Sequence, residues 1–376
     1  MAHVAVFVYG DGEPGSGAQV QALRLAGAFA ARGHAVDVVA VRAGSALRHD
    51  LPATVQLVEL APRSRLVPRR LQVYGGTPAL ARYLRGARPE AMLAAASHVN
   101  LAALWARRLA GRGTRLVLRA STHPPPSRLL PRFAFRFYAW ADAIVALSDG
   151  VADGIVHATG LARRRITTIY NGAVAPELLE AARAPLDHPW FAPGAPPVIL
   201  SVGRNVPEKD FRTLLWAFAR VRAERPARLM IIGHGAWTPL VNRARLLGIA
   251  DDVAFLGFVH NPFAYMARAA VFCLSSVQEG LCNALVEALA CGCPVVSTDC
   301  PSGPREILAG GEFGRLVPVR DSTAMAAAIL ATLANPPDRD RLRARGRAPL
   351  FALDPVVERY LDVLLPACRQ PPAHQP

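Results

Sequence analysis

Two glutamates in the C-terminal half are spaced for ligand binding. Glu279 follows an apolar run that predicts a strand, and Glu287 lies on the helix predicted to come next, with Asn283 as its cap and Gly292 at its end. Between the two acids, residues 280–282 ("GLC") offer consecutive backbone N–H groups. Carboxylates accept hydrogen bonds from hydroxyls, and amides donate to oxygen. The pattern fits a polyhydroxylated, anionic ligand; the alternative is one solvated glutamate on each element.

One cation stands out by its type. Lys209 is the only lysine among 43 basic residues, and the other 42 are arginine, which GC-rich coding would favour. It follows Arg204 in a loop between a predicted strand, 198–203, and a predicted helix, 211–224, for which Asp210 can serve as the N-cap. This loop therefore places two cations at the carboxyl end of a strand.

The net charge of +15 is concentrated in the first half of the chain. Residues 1–180 hold 22 arginines against 11 acids, and the remainder holds 21 basic residues against 17 acids. Such a charge fits nucleic acid, an anionic membrane or a phosphorylated substrate. The arginines are spread over many elements, and neither an RNA-recognition nor a zinc-finger pattern is present, which disfavours nucleic acid.

The cysteines and the apolar segments point to a cytoplasmic protein. Five of the six cysteines fall within 28 residues, but paired Cys-x-x-Cys knuckles are absent, so we expect reduced, buried thiols and no metal. No secretory signal and no span of roughly 20 apolar residues is recognised. The six cysteines are Cys273, Cys282, Cys291, Cys293, Cys300 and Cys368.

The order of elements predicts an α/β protein with two parallel sheets. A strand over 4–9, a helix over 18–34 ending near Gly33 and a strand over 35–41 open the chain. A second series of alternating strands and helices starts near residue 198, and the Pro- and Ala-rich segment 171–197 is interpreted as the linker. Ligands of such sheets bind at the carboxyl ends of the strands. The later strands are predicted over 198–203, 228–235, 253–259, 270–276 and 294–300.

The first loop contains the pattern G-x-G-x-x-G at Gly10, Gly12 and Gly15. An NAD-dependent dehydrogenase would need an acid at the end of the second strand, whereas Asp37 lies near the start of that strand and Pro14 interrupts the loop. A dehydrogenase is therefore disfavoured. The loop can still present backbone N–H groups to a phosphate or a sugar at a helix N-terminus.

Several segments together resemble retaining glycosyltransferase family 4. They are "EGLCNALVEALACGCPVVSTDCPSGPREI", "VGR" with a lysine five residues after its arginine, "SGAQVQALRLAGAFAARGHAVDVV", "ADAIVALSDGVADGI" and "ITTIYNG". The resemblance covers roughly residues 1–330 and implies the GT-B fold, in which two Rossmann-like parallel-sheet domains face across a cleft. It places an acceptor-binding domain in 1–175, joined by a returning C-terminal helix over 354–366, and a nucleotide-sugar-binding domain in 176–353. Residues 367–376 are expected to form a disordered tail.

The resemblance also assigns roles to residues. Arg204 and Lys209 would bind the donor diphosphate, Glu287 the ribose hydroxyls, and Glu279 the donor sugar. A lysine is a slim point charge, which suits a crowded diphosphate site better than a guanidinium does. His234 lies where the family commonly has an acid. The implied catalytic residues are Glu279, Arg204, Lys209 and His123, and the implied donor-binding residues are Gly17, Arg204, Lys209, Glu279, Gly280, Leu281, Asn283 and Glu287.

The activity implied is metal-independent transfer from a nucleoside-diphosphate sugar, most simply a UDP-sugar, without a further cofactor. The segment "DCPSGPREI" resembles enzymes that extend polyprenyl-diphosphate glycans, so a hydroxyl of a cell-envelope glycan or lipid-linked acceptor is expected. A nucleotide-sugar epimerase of the same fold is the alternative, and it would release nucleotide and an altered sugar without an acceptor.

A basic and aromatic segment lies at 127–140. Arg128, Arg132 and Arg136 recur every four residues and would share one helical face. One interpretation is an ordinary helix with an aromatic core face; the other is a peripheral patch that binds the inner face of the cytoplasmic membrane.

Overall fold

The protein was analysed as a computed structural model that describes residues 1–10, 17–60, 69–111, 113–122 and 136–366. It divides into two compact units. The first comprises Met1–Gly172 with Asp354–Pro376, and the second comprises Ala173–Leu353. Within the described ranges, no helix combines the length and the apolar character needed to cross a membrane. His123, Arg128, Arg132 and the tail predicted over 367–376 lie outside these ranges.

The first unit is built on a seven-stranded sheet in the order β3-β2-β1-β4-β5-β6-β7. Every pairing is parallel. The central strands are buried along almost their whole length, which explains their continuous apolar sequences. The strands are β1 His3–Val8, β2 Ala35–Ala40, β3 Gln56–Glu59, β4 Ala91–Ala94, β5 Arg115–Ala120, β6 Ala143–Ala146 and β7 Ile166–Thr168.

Helices cover this sheet, and one of them comes from the end of the chain. Arg115 Nε donates to the Val363 carbonyl at 2.9 Å, and Arg359 Nη2 donates to the Thr168 carbonyl at 2.6 Å. Tyr360 is fully buried, and its hydroxyl accepts from Arg119 Nε at 3.2 Å. The α-helices of this unit are Gly17–Ala31, Ser45–Asp50, Arg69–Gly75, Thr77–Ala87, Ser97–Ala110, Asp149–Thr159 and Leu353–Leu364; the 3-10 helices are Arg136–Trp140 and Arg163–Arg165.

The second unit is built on a six-stranded parallel sheet in the order β10-β9-β8-β11-β12-β13. Its strands are β8 Val198–Val202, β9 Arg228–Ile232, β10 Val253–Gly257, β11 Val271–Leu274, β12 Val295–Thr298 and β13 Arg315–Val317. Its α-helices are Pro176–Arg183, Phe211–Glu224, Thr238–Leu246, Phe263–Arg268, Asn283–Ala290, Pro304–Ile307, Ser322–Ala334 and Arg339–Gly346; its 3-10 helices are Pro189–Phe191, Pro207–Lys209, Ala250–Asp252 and Ala309–Gly311.

The strand order reverses once in this second sheet, between β8 and β11. From β8 the chain proceeds outward to β9 and β10, and from β11 it proceeds outward on the other side. Loops that leave the carboxyl ends of β8 and β11 therefore diverge and leave a crevice, which is where open α/β sheets bind ligands. Residues 203–210 and 275–282 are those two loops.

The predicted fold class is confirmed: both sheets are parallel and alternate with helices. The helix predicted over 211–224 is present as Phe211–Glu224. The interpretation of 171–197 as a plain linker is wrong. Pro176 starts a helix that belongs to the second unit, and Asn261 Nδ2 donates to the Ala181 carbonyl at 2.8 Å. Proline is favourable in a first helical turn, so the Pro-rich composition did not exclude a helix.

Candidate active site

The loop after β8 positions the lone lysine. Pro207–Lys209 forms one 3-10 turn, and Asp210 follows in a left-handed conformation with φ 43°. The Asp210 side chain accepts hydrogen bonds from the Thr213 backbone N–H at 3.4 Å and from the Thr213 hydroxyl at 2.6 Å. Asp210 is thus the N-cap of helix Phe211–Glu224, as predicted. Lys209 is held directly before that helix.

Lys209 and Glu279 form an ion pair. Lys209 Nζ donates to Glu279 Oε1 at 2.6 Å, and the two side chains are 19% and 12% exposed. Burial lowers the pKa of Lys209, but the Glu279 carboxylate more than offsets it, so that the pKa is raised above the ordinary 10.5. The amine is therefore a cation at every physiological pH.

Two serines hold Glu279 in place. Ser276 Oγ donates to the same Oε1 at 2.6 Å, and Ser302 Oγ donates to the Glu279 carbonyl. The other carboxylate oxygen, Oε2, accepts no hydrogen bond from the described residues and is not fully buried. Glu279 therefore keeps one oxygen open to a ligand hydroxyl. The sequence analysis missed both serines, although the spacing of Ser276, three residues before Glu279, is a signal for such a contact.

Hydrogen bonds also join the two loops. Ser275 Oγ donates to the Lys209 carbonyl at 2.7 Å, and the Val277 backbone N–H donates to the Glu208 carbonyl at 2.8 Å. Ser275 is 1% exposed. Because the loops are tied by backbone groups, the Lys209 and Glu279 side chains meet in one defined arrangement.

Glycines leave a narrow space for the lysine. A Cβ atom on Gly203 would lie 3.2 Å from Lys209 Cε and 3.4 Å from its Cδ. A Cβ on Gly233 would lie only 1.9 Å from the Gly203 carbonyl oxygen, so the two glycine segments are in direct contact. The aliphatic part of the Lys209 side chain thus packs against Gly203. We call the narrow space that Gly203 and Gly233 leave for this side chain the slot.

Arg204 differs from Lys209 in that its side chain has no partner among the described residues. The side chain is exposed and forms neither a hydrogen bond nor an ion pair there, whereas the Arg204 carbonyl accepts from the Val206 N–H at 2.9 Å. The next residue is tied to the loop after β9, because the Asn205 N–H donates to the His234 carbonyl at 2.7 Å. His234 stacks on Phe258 with ring centroids 4.7 Å apart. Arg204, five residues before Lys209, is thus a cation that an anionic ligand can bind.

The segment after Glu279 offers backbone donors. Gly280, Leu281 and Cys282 are buried, and no described residue accepts a hydrogen bond from the N–H of Leu281 or Cys282. Helix Asn283–Ala290 starts there and carries the half-buried Glu287. The prediction that Asn283 caps this helix is wrong, because Cys282 is the cap residue and Asn283 is already helical.

The cysteines around this segment are neutral thiols. Burial raises the pKa of Cys282, Cys291, Cys293 and Cys300 to about 12, and it raises the pKa of Cys273 as well. All five are buried and unbridged. In the described part of the chain, no group of three or more His, Cys, Asp or Glu residues is placed to hold a metal ion.

Other predicted residues lie in the first unit. Gly17 is the exposed first residue of helix Gly17–Ala31, and Arg136 is the exposed first residue of the 3-10 helix Arg136–Trp140. Asp37 is already engaged: its Oδ2 accepts from the Tyr83 hydroxyl at 2.5 Å and lies 2.9 Å from His3 Nε2. This acid is therefore not free to bind a ribose, which argues further against a dehydrogenase.

Two family models match the chain. The model "Glycosyltransferase Family 4" matches residues 15–174, and the model "Glycosyl transferases group 1" matches residues 196–335. Between them they cover a large part of both units.

Individual proteins are similar over most of the chain. The N-acetylgalactosamine-N,N'-diacetylbacillosaminyl-diphospho-undecaprenol 4-alpha-N-acetylgalactosaminyltransferase of Campylobacter jejuni is 32% identical over 281 residues, which are 71% of this chain and 73% of the relative. The lipopolysaccharide core biosynthesis glycosyltransferase LpsE of Rhizobium meliloti is 32% identical over 61% of this chain and 65% of its own length. The crystal structure of Anabaena HepE in complex with UDP-glucose has a TM-score of 0.75 and 20% identity, and the match covers 97% of this chain and 100% of that one.

Proposed function

The chain belongs to glycosyltransferase family 4 and has the GT-B fold, and from that premise we propose that it transfers a sugar from a UDP-sugar to a hydroxyl of a lipid-linked or other cell-envelope glycan. Transfer retains the anomeric configuration of the donor. The observation that carries this proposal is the Lys209–Glu279 pair, joined at 2.6 Å in the crevice between β8 and β11. In this pair the Lys209 ammonium is held in place by Glu279, and Glu279 Oε2 can still accept a hydrogen bond from a ligand hydroxyl.

The donor diphosphate binds to Arg204 and Lys209. Arg204 is exposed and unpaired among residues 136–366, so an anion does not have to displace a protein partner. Lys209 has three donors, of which one is directed at Glu279. The amides of Leu281 and Cys282 can donate to further donor oxygens. Charge that grows on the diphosphate during bond cleavage is thereby stabilised.

The two glutamates bind the donor sugar and the ribose. Glu279 Oε2 accepts a hydrogen bond from a sugar hydroxyl, and Gly280, Leu281 and Asn283 contact other sugar hydroxyls. Glu287, on helix Asn283–Ala290, accepts from the ribose. Gly17 and His123 of the N-terminal part are proposed as further donor contacts.

Transfer proceeds on one face of the sugar. The bond between C1 and the diphosphate oxygen breaks, and the acceptor oxygen forms its bond to C1 on the same face. The proton of the acceptor hydroxyl passes to the departing diphosphate, so that UDP and the glycosylated acceptor are the products. Lys209 and Arg204 favour this step because they stabilise the charge that grows on the leaving group more strongly than they stabilise the bound substrate.

The acceptor class rests on the relatives. The Campylobacter jejuni relative is named for transfer to a diphospho-undecaprenol glycan, and LpsE is named for lipopolysaccharide core biosynthesis. The basic character of residues 1–180 is compatible with an acceptor that carries a diphosphate. We therefore place acceptor binding in the N-terminal domain, residues 1–175, and donor binding in residues 176–353.

The identity of the donor is tested by incubating the purified protein with a panel of UDP- and GDP-sugars and measuring the slow hydrolysis of each. Binding of NAD is measured as a control. We expect UDP release from one UDP-sugar, loss of that release in Lys209→Ala, and a freed sugar of unchanged identity. Release that is confined to a GDP-sugar would overturn the choice of base. An epimerised sugar would favour the nucleotide-sugar epimerase, and binding of NAD alone would refute glycosyl transfer.

A further inference from the structure

The first unit carries an exposed apolar patch where a polar helix face is expected. Helix Ser97–Ala110 buries one side, yet its exposed side carries Trp105, which is 40% exposed, and Leu109, which is 52% exposed. Phe137 and Trp140 of the 3-10 helix Arg136–Trp140 adjoin it, with ring centroids 5.3 Å and 5.2 Å from that of Trp105. These four residues are called the aromatic patch. A contiguous exposed apolar patch of this kind marks an interaction surface.

Four arginines surround the aromatic patch without acidic partners. Arg108 lies over the Trp140 ring at 4.9 Å, and Arg136 starts the 3-10 helix. Arg85 Nη2 donates to the Leu109 carbonyl at 2.5 Å, and Arg165 Nη2 donates to the Ala139 carbonyl at 3.3 Å. All four are exposed, and none forms an ion pair with a residue of the described ranges.

Several other arginines of the first unit do have acidic partners. In the same unit Arg32, Arg48 and Arg163 each pair with a carboxylate. Near the patch, the carboxylate of Asp142 is taken by Arg107, which is largely buried. Four exposed arginines without a described acidic partner thus lie beside exposed apolar side chains, and this combination complements a surface that is anionic at its edge and apolar within.

We infer that the aromatic patch and its four arginines bind the surface of an anionic membrane, with Trp105 and Leu109 at the headgroup–acyl boundary and the arginines on lipid phosphates. Tryptophan prefers that boundary, and basic residues are attracted to anionic leaflets. This inference does not depend on the proposed function. It shares Arg136 with the face predicted from Arg128, Arg132 and Arg136, whose first two residues lie outside the described ranges.

Two other occupants fit less well. Single-stranded nucleic acid needs open ring faces, but the three rings pack at 57° to 83° to one another and Arg108 covers a face of Trp140. An aliphatic side chain such as Leu109 offers no stacking surface. A second copy of the chain would bring two sets of unpaired arginines together, which is repulsive.

Co-sedimentation of the full chain with vesicles of phosphatidylcholine, with and without phosphatidylglycerol, tests the inference at low salt. We expect binding only when phosphatidylglycerol is present. Trp105→Ala should weaken it about tenfold through lost apolar burial. Arg108→Gln and Arg136→Gln should each weaken it about fivefold. Leu109→Gln provides a second patch variant in case Trp105→Ala fails to fold.

Trp216 supplies a matched control. It is 41% exposed, lies in the second unit and also has an arginine, Arg243, over its ring. Trp216→Ala should leave vesicle binding unchanged. The inference is overturned if the wild type ignores phosphatidylglycerol vesicles, or if both tryptophan variants lose binding equally. It is also overturned if Leu109→Gln instead abolishes self-association or oligonucleotide binding.

Discussion

Lys209 Nζ and Glu279 Oε1 lie 2.6 Å apart, although 69 residues separate them in the chain. Each residue alone can be interpreted as a solvated charge. Together, on two loops that diverge from adjacent strands, they form a partly buried pair whose remaining donors and acceptor have no hydrogen-bond partner among the described residues. The strand order reverses between β8 and β11, which places these two loops at one crevice, and we propose that the pair acts there in sugar transfer.

The first prediction concerns the charge of Lys209 at high pH. The pKa of Lys209 is raised in the folded protein. The stability that the protonated amine contributes is therefore fully present below the ordinary pKa of 10.5, and it is lost only as the pH rises through the higher folded pKa. In Glu279→Gln the raising charge is removed while burial still lowers the pKa. We expect UDP affinity of Glu279→Gln to fall at lower pH than that of the wild type. Calorimetric titrations of both proteins with UDP, from neutral to alkaline pH, check this. Protonation of UDP itself affects both proteins equally and cancels in the comparison. Identical pH profiles of UDP affinity for the variant and the wild type would contradict the prediction.

The second prediction separates the two acids. Glu287→Ala should weaken UDP binding by about 1.5–3 kcal/mol, the value of a hydrogen bond to a charged group. Glu279→Ala should mainly reduce turnover of the sugar donor, because we propose that its open oxygen binds a sugar hydroxyl. Titration with UDP and with UDP-sugar, together with donor hydrolysis, distinguishes the two. Unchanged UDP affinity in Glu287→Ala would refute its assignment to the ribose.

The third prediction concerns the slot that holds Lys209. In Gly203→Ala the new methyl group would lie 3.2 Å from Lys209 Cε, closer than an ordinary van der Waals contact, so the lysine side chain must move and we expect its pairing with Glu279 to be disturbed. UDP binding should weaken several-fold. The matched control is Gly86→Ala in helix Thr77–Ala87, where a Cβ meets nothing within 4 Å. That variant should keep UDP affinity and gain about 0.5–1 kcal/mol of stability. Wild-type affinity in Gly203→Ala would show that the slot is wider than inferred.

The fourth prediction concerns the thiols. Burial raises the pKa of Cys282 and Cys300 to about 12, far above the ordinary 9.0, so almost no thiolate forms at neutral pH. We expect iodoacetamide to leave all five described cysteines unmodified in the folded protein and to alkylate them after unfolding. Peptide mass spectrometry reads out each position. Rapid modification of Cys282 or Cys300 in the native state would contradict their neutral, buried character.

Sequence alone predicted the α/β class, the start of helix Phe211–Glu224 at its Asp210 cap, and the glycine after helix Asn283–Ala290, since these depend on local patterns. It did not predict the ion pair, because pairing Lys209 with Glu279 requires the strand order. It also assigned the helix cap to Asn283 instead of Cys282. Capping preference favours asparagine, whereas in the structure Cys282 holds the cap position without a side-chain cap hydrogen bond and Asn283 is the first helical residue.

The most direct test of the account is UDP binding, measured by isothermal titration, in Lys209→Ala and Lys209→Arg. The matched control is Arg341→Lys, which exchanges the same two residue types in an exposed ion pair with Glu312. We predict that both Lys209 variants bind UDP at least about tenfold more weakly than the wild type. Alanine removes the charge, and the broader guanidinium cannot lie on Gly203 beside Glu279. The control should match the wild type. If Lys209→Ala binds UDP as tightly as the wild type, Lys209 does not hold the diphosphate and the proposed donor site is wrong.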